Sequence, residues 1–121
     1  MSLSSKTREH FNAAELLLHN RFYRDAVSRA YYAVFTAVWD YVGDSATGEW
    51  NPRSIRQAFA ERMHREGIIR TEARQLSRVF QNLLEFRINA DYARELIPQT
   101  DALETINLTR GILQWIETRM Q

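Results

Sequence analysis

The chain contains no cysteine. That absence excludes disulfides, thiolate metal sites, iron–sulfur clusters and a cysteine nucleophile together, and it fits a reducing compartment, so a cytoplasmic location is expected. Glycine and proline are scarce: Gly43, Gly48, Gly67, Gly111, Pro52 and Pro98 are all there are in 121 residues. So little punctuation excludes loop-rich and low-complexity architectures. No apolar run approaches the roughly 18 to 20 residues that cross a bilayer. The opening MSLSSKTREH lacks the apolar stretch of a signal peptide, so no membrane association is expected. An excess of either charge is missing too, since 16 basic residues face 15 acidic ones for a net +1. A general DNA-coating protein would carry a strong basic surplus. Lysine itself is almost absent, Lys6 being the only one, so every other basic residue is arginine.

What is present is the composition of a folded globular domain, 45% hydrophobic and 26% charged, in a length that accommodates one core and not two. A single domain over residues 1–121 is expected. Apolar residues recur at spacings of three and four, and no stretch alternates with period two. Phe11, Ala14 and Leu18 mark a first helix over about 5–19, with Asn20 as its stop. A second runs from Tyr23 or Arg24 to about Tyr41. It carries a small stripe, Ala26, Ala30, Ala33 and Ala37, and a bulky one, Tyr32, Phe35, Trp39 and Val42. Small residues admit a close neighbour, and two apolar faces call for cover on both sides, which makes this helix the central element.

Residues 43–51 form the one substantial loop, and Asn51-Pro52 reads as an N-cap with proline at the first helical position. The third helix reaches about Arg65 with a thin apolar face, Ile55, Phe59 and Met63, and Gly67 beyond it. The fourth is expected from Thr71 to about Glu95, with the stripe Leu76, Phe80, Leu83, Arg87 and Ala90. The fifth starts near Thr100 or Asp101, where Asp101 and Glu104 have capping-box spacing. The expected fold is all-α: an up-and-down four-helix bundle with the short third helix packed at one end.

Arg87 breaks the pattern, because it occupies the apolar stripe of the fourth helix where a neutral residue belongs. Asp91 is one turn on, about 40° away, within reach as an i, i+4 partner. Two readings stand side by side: a structural ion pair at a helix or subunit interface, and an anion site in which a permanently charged fork of donors meets phosphate. Tyr92 lies about 140° around the helix from Arg87, so the two converge only if the helix distorts or two copies of it meet at a twofold axis. Adjacent Tyr31 and Tyr32 point in different directions, one to the core and one to an interface.

Residues 51–80 hold seven arginines against three glutamates, a local +4, between flanks of −1 (residues 1–50) and −2 (residues 81–121). Arg70, Arg74 and Arg78 line up like charges at i, i+4 and i+8, which an anionic partner or a solvated mixed-charge face would relieve. Glu61 and His64 give one Glu-x-x-His where a di-iron bundle needs two with further glutamates, and no His-Glu-x-x-His is present. No metal and no cofactor are expected. Gly-x-Ser-x-Gly, Walker A and Gly-x-Gly-x-x-Gly are all missing, which disfavours a hydrolase triad, a P-loop NTPase and a Rossmann enzyme.

The segment Asp25-Ala26-Val27-Ser28-Arg29-Ala30-Tyr31-Tyr32-Ala33-Val34-Phe35, followed by Arg87-Ile88-Asn89-Ala90-Asp91-Tyr92, resembles the HEPN superfamily over about residues 8–118. More narrowly, it looks like the prokaryotic branch with a YYAxF helix and an RxxADY helix. The resemblance implies a helical bundle that forms a homodimer with the arginine-bearing helices near the twofold axis. It further implies a minimal nucleotidyltransferase partner in a toxin–antitoxin-type gene pair, with a nucleotide or RNA phosphate bound near Arg87, Asp91, Tyr92, Tyr31 and Tyr32. Catalytic branches of the superfamily cleave RNA without metal through an arginine and, after four to six intervening residues, a histidine. Here Tyr92 stands at the histidine position, and tyrosine is a far weaker proton shuttle than histidine near neutral pH. The primary reading is therefore a binding and regulatory module. The alternative is a metal-independent ribonuclease using Arg87 and Tyr92.

Overall fold

Helix boundaries follow the sparse punctuation. The computed structural model describes residues 3–121 and contains α1 (Ser5–His19), α2 (Tyr23–Val42), α3 (Pro52–Arg65), α4 (Arg70–Tyr92) and α5 (Gln99–Met120), with no strand among the described residues. Residues 1 and 2 of the expected domain lie outside the described residues. Ser4 caps α1 by accepting from the Thr7 N–H at 3.2 Å. Asn20 ends it, and the turn into α2 places Arg21 at φ 67°, a left-handed conformation where glycine is more usual. Asn51 and Ser54 form a reciprocal capping box at α3, with Pro52 at its first position.

The sequence expectation fails at both ends of the α4–α5 connection. Helix α4 stops at Tyr92 rather than near Glu95, and Ala93 is already extended. The reason lies far away in the chain: the Arg24 guanidinium donates to the Ala90 carbonyl and, at 2.9 Å, to the Glu95 carbonyl, satisfying acceptors at the end of the helix. Helix α5 begins at Gln99, just after Pro98, and no side chain caps it. Asp101 and Glu104 make no capping box. Asp101 already sits in the first turn, where its carboxylate complements the helix dipole while its carbonyl accepts from Thr105 at 2.8 Å.

Helix α2 is the hub and packs against α1, α3, α4 and α5. Its four stripe alanines are fully buried. Ala14 of α1, Ala30 and Ile106 of α5 meet in one small cluster, the close approach that small side chains allow. The bulky stripe fares differently from expectation, for Phe35, Trp39 and Val42 are only partly covered and Tyr32 is 40% exposed. Because α1 packs close on the alanines, the aromatic side of α2 is left partly open.

The main core joins α2, α3, α4 and α5 around Tyr31, Tyr41, Phe59, Phe80 and Trp115, whose rings meet mostly edge to face at 5.8–6.2 Å. The thin face of α3 is fully used, as Ile55, Phe59 and Met63 are completely buried. Between α1 and α2, the Thr7 and Thr36 hydroxyls share a 2.7 Å hydrogen bond, and Thr7 is fully buried.

Candidate functional site

Leu83 and Ala90 are fully buried, so the helix that places them inside also carries Arg87 toward α2. The guanidinium lies over two aromatic faces, its Cζ 5.5 Å from the Tyr31 ring centroid and 5.1 Å from that of Tyr32. Two π faces compensate a partly desolvated cation without consuming its N–H donors. Asp91 supplies the ion pair foreseen, with its Oδ2 at 3.2 Å from Arg87 Nε. The N–H does not point at that oxygen, however, and Nε is shielded from solvent with no hydrogen-bond partner among the described residues. The pair is a Coulombic contact rather than the bidentate fork that would saturate the arginine. Asp91 is instead committed to α2, where Ser28 Oγ donates to its Oδ1 at 2.6 Å.

Tyr31 and Tyr32 diverge as adjacent helical residues must, their rings 5.8 Å apart and edge to face. Tyr31 is 2% exposed, and its hydroxyl has no partner among the described residues. Burial pushes its pKa up to about 12, against a lowering by Arg87, so it is a fixed proton donor at neutral pH. Tyr32 offers its ring to solvent, with Arg87 on one side and the His10 ring of α1 at 6.1 Å. Burial first, then Arg29 and Lys6, lower the His10 pKa, against a smaller upward pull from Glu9.

Of the residues marked by sequence, Arg87, Asp91, Tyr31 and Tyr32 therefore converge across the α2–α4 junction. Tyr92 does not join them, being 81% exposed. Arg70, Arg74 and Arg78 are all exposed along α4, as are Glu61 and His64 on α3. No three histidine, aspartate or glutamate side chains lie close enough to hold a metal ion among the described residues. No helix there is long and apolar enough to cross a membrane.

Two neighbours escaped the sequence reading. Ser28 lies three and four residues before Tyr31 and Tyr32, on the same face of α2, so its role was legible in principle from helical spacing. His10 reaches the cluster only because α1 packs across α2, and nothing local announces it.

What the arrangement can do chemically is bounded by these contacts. A cation with free donors, a buried phenol without an acceptor and an exposed aromatic face suit an oxyanion attached to a planar group.

Comparison with other proteins agrees with that bundle. A family model described as HEPN domain matches residues 2–119. A 27-residue stretch, 22% of this chain, is 59% identical to a protein of Methanocaldococcus jannaschii named Putative toxin MJ0605, of which it covers 20%. No solved structure matches the chain. With nearly every residue inside the family match and the helical architecture that goes with it, the chain belongs to the HEPN domain family.

Proposed function

We propose that this chain is a HEPN binding module that acts as a homodimer and holds a nucleotide or RNA phosphate on Arg87. We place it in a toxin–antitoxin-type gene pair with a minimal nucleotidyltransferase as partner. The observation that carries the reading is the state of Arg87: drawn into the α2–α4 junction, flanked by Tyr31 and Tyr32, and left with donors that Asp91 does not saturate. A purely structural ion pair would favour a fully hydrogen-bonded fork. The name of the Methanocaldococcus jannaschii protein supports the toxin-type context for the shared stretch.

Titration calorimetry of wild type and Arg87→Ala with ATP, with a short RNA and with a purified minimal nucleotidyltransferase encoded by a neighbouring gene tests this. Loss of affinity of tenfold or more for at least one of them is expected, and unchanged affinity for all three would refute it. The ribonuclease alternative needs Tyr92 to move a proton beside Arg87; Tyr92 is exposed within one chain, so that role requires a second copy of α4 to bring the two together. Incubation of the purified protein with RNA in EDTA is expected to yield no cleavage.

A further inference from the structure

The partly open aromatic side of α2 is not featureless. Between α1 and α2 runs a groove of about 480 Å³, lined by Lys6, His10, Arg29, Tyr32, Phe35 and Trp39. Tyr32 links the groove to Arg87: its ring centroid lies 6.1 Å from that of His10, which lines the groove, and 5.1 Å from the Arg87 Cζ. Among the described residues no carboxylate lines it. Lys6 and Arg29 are exposed, and neither has an ion-pair partner among the described residues. The aromatic walls are held in place, Phe35 and Trp39 edge to face at 6.0 Å and the Trp39 indole N–H donating to Asp44 at 2.8 Å.

Flat rings alternating with unpaired cations are what a polynucleotide strand requires, because bases stack on aromatic faces while the backbone follows positive charge. We infer that this groove receives one nucleotide of a single-stranded polynucleotide whose adjacent phosphate lies on Arg87, its base against Tyr32 and Trp39 and its own phosphate on Lys6 and Arg29. The inference rests on the Arg87 phosphate reading and narrows it, since a mononucleotide would occupy either the groove or the Arg87 position whereas a strand reaches both. The electropositive setting agrees with His10, whose pKa is lowered by burial first and then by Arg29 and Lys6. An acidic peptide would satisfy the cations but leave the ring faces without a planar partner.

Fluorescence anisotropy with labelled oligouridine, oligodeoxythymidine of equal length and a labelled uridine mononucleotide tests the proposal. The variants are Lys6→Gln/Arg29→Gln and, separately, Arg87→Ala. Wild type is expected to bind the strands at least tenfold tighter than the mononucleotide, with RNA equal to or tighter than DNA. The double variant should lose at least tenfold on the strands and little on the mononucleotide. Its dependence of log affinity on log salt should also flatten by about 0.7, for the one phosphate that Lys6 and Arg29 share. Full strand affinity in the double variant, with loss only in Arg87→Ala, would overturn the groove and leave the Arg87 reading standing. Absence of any nucleotide or strand binding would overturn both. Displacement of the strand by polyglutamate at equal charge concentration, or a changed oligomeric mass in the double variant, would count against the groove and point to an acidic protein or a second copy as its occupant.

Discussion

Tyr31 concentrates the chemistry of the junction in one side chain. Its ring stacks against Phe80 at 6.1 Å in the core while its hydroxyl, buried beside Arg87, donates to nothing among the described residues. An unsatisfied buried hydroxyl is destabilising, so Tyr31→Phe should raise unfolding free energy by about 1 kcal/mol in urea titrations. If the phenol serves a bound phosphate, the same variant should lose nucleotide affinity, so stability and binding move in opposite directions. A residue kept only for packing would show the first change without the second. Arg87 was visible in the sequence because a cation on the apolar stripe contradicts its neighbours, and Asp91 followed from the length of one turn. Ser28 was within reach of the same spacing argument. Lys6, His10 and Arg29 were not, since their convergence depends on how α1 lies across α2, which no window of either helix encodes.

The helix ends hold a second network, remote from Arg87. At the C-termini of α2, α3 and α5, Glu66 accepts from the Tyr41 hydroxyl at 2.5 Å, from Arg62 at 2.7 Å and from Arg119 at 3.2 Å, and Arg62 also donates to the Tyr41 carbonyl at 2.8 Å. Cations close to helix C-termini complement the dipoles, and Glu66 ties them together. Burial alone would raise the Glu66 pKa, but the hydrogen bonds from Tyr41, Arg62 and Arg119 outweigh it and hold it below the ordinary 4.5. A carboxyl lowered on folding contributes stability that is complete above its unfolded pKa and is lost as pH falls through the folded one. Tyr41 works in the other direction. Its pKa rises to about 12, through burial first and the Glu66 hydrogen bond second, so its contribution is present below about 10 and is lost as pH rises through about 12. Urea midpoints of Glu66→Gln should therefore decline less than those of wild type as pH drops below about 4.5; equal slopes would show that the network does not couple to folding. The existence of all five helices was legible because glycine, proline and caps interrupt otherwise continuous periodicity. The end of α4 was not, because Arg24, which satisfies the Ala90 carbonyl in its last turn, lies 66 residues away from Ala90.

At the scale of the whole molecule, the charge that nearly cancels in total is unevenly distributed, and so is the apolar surface. Leu16, Phe22, Ile69, Ile88, Tyr92 and Leu96 are between 46% and 92% exposed. Ile88 and Tyr92 are one turn apart on α4, the helix that carries Arg87, and they form the kind of strip a second copy could cover. Light scattering is expected to give about twice the 14.3 kDa chain mass, and Ile88→Ser/Tyr92→Ser is expected to return it to the monomer value with an unchanged circular dichroism spectrum. A variant that stayed dimeric would move the interface elsewhere.

The hydroxyl bond between Thr7 and Thr36 bears on recognition as well as on packing. Rolling α1 along α2 would break this bond and leave the fully buried Thr7 hydroxyl with only Ser4 Oγ, at 3.2 Å, as a partner, so the pair resists rotation of one helix on the other. Lys6 and His10 follow Thr7 in that restraint, and Arg29, Tyr32 and Trp39 follow Thr36. The gap between them is fixed at folding, and a strand entering it would meet walls already set at their spacing, with its own chain as the only part left to be ordered.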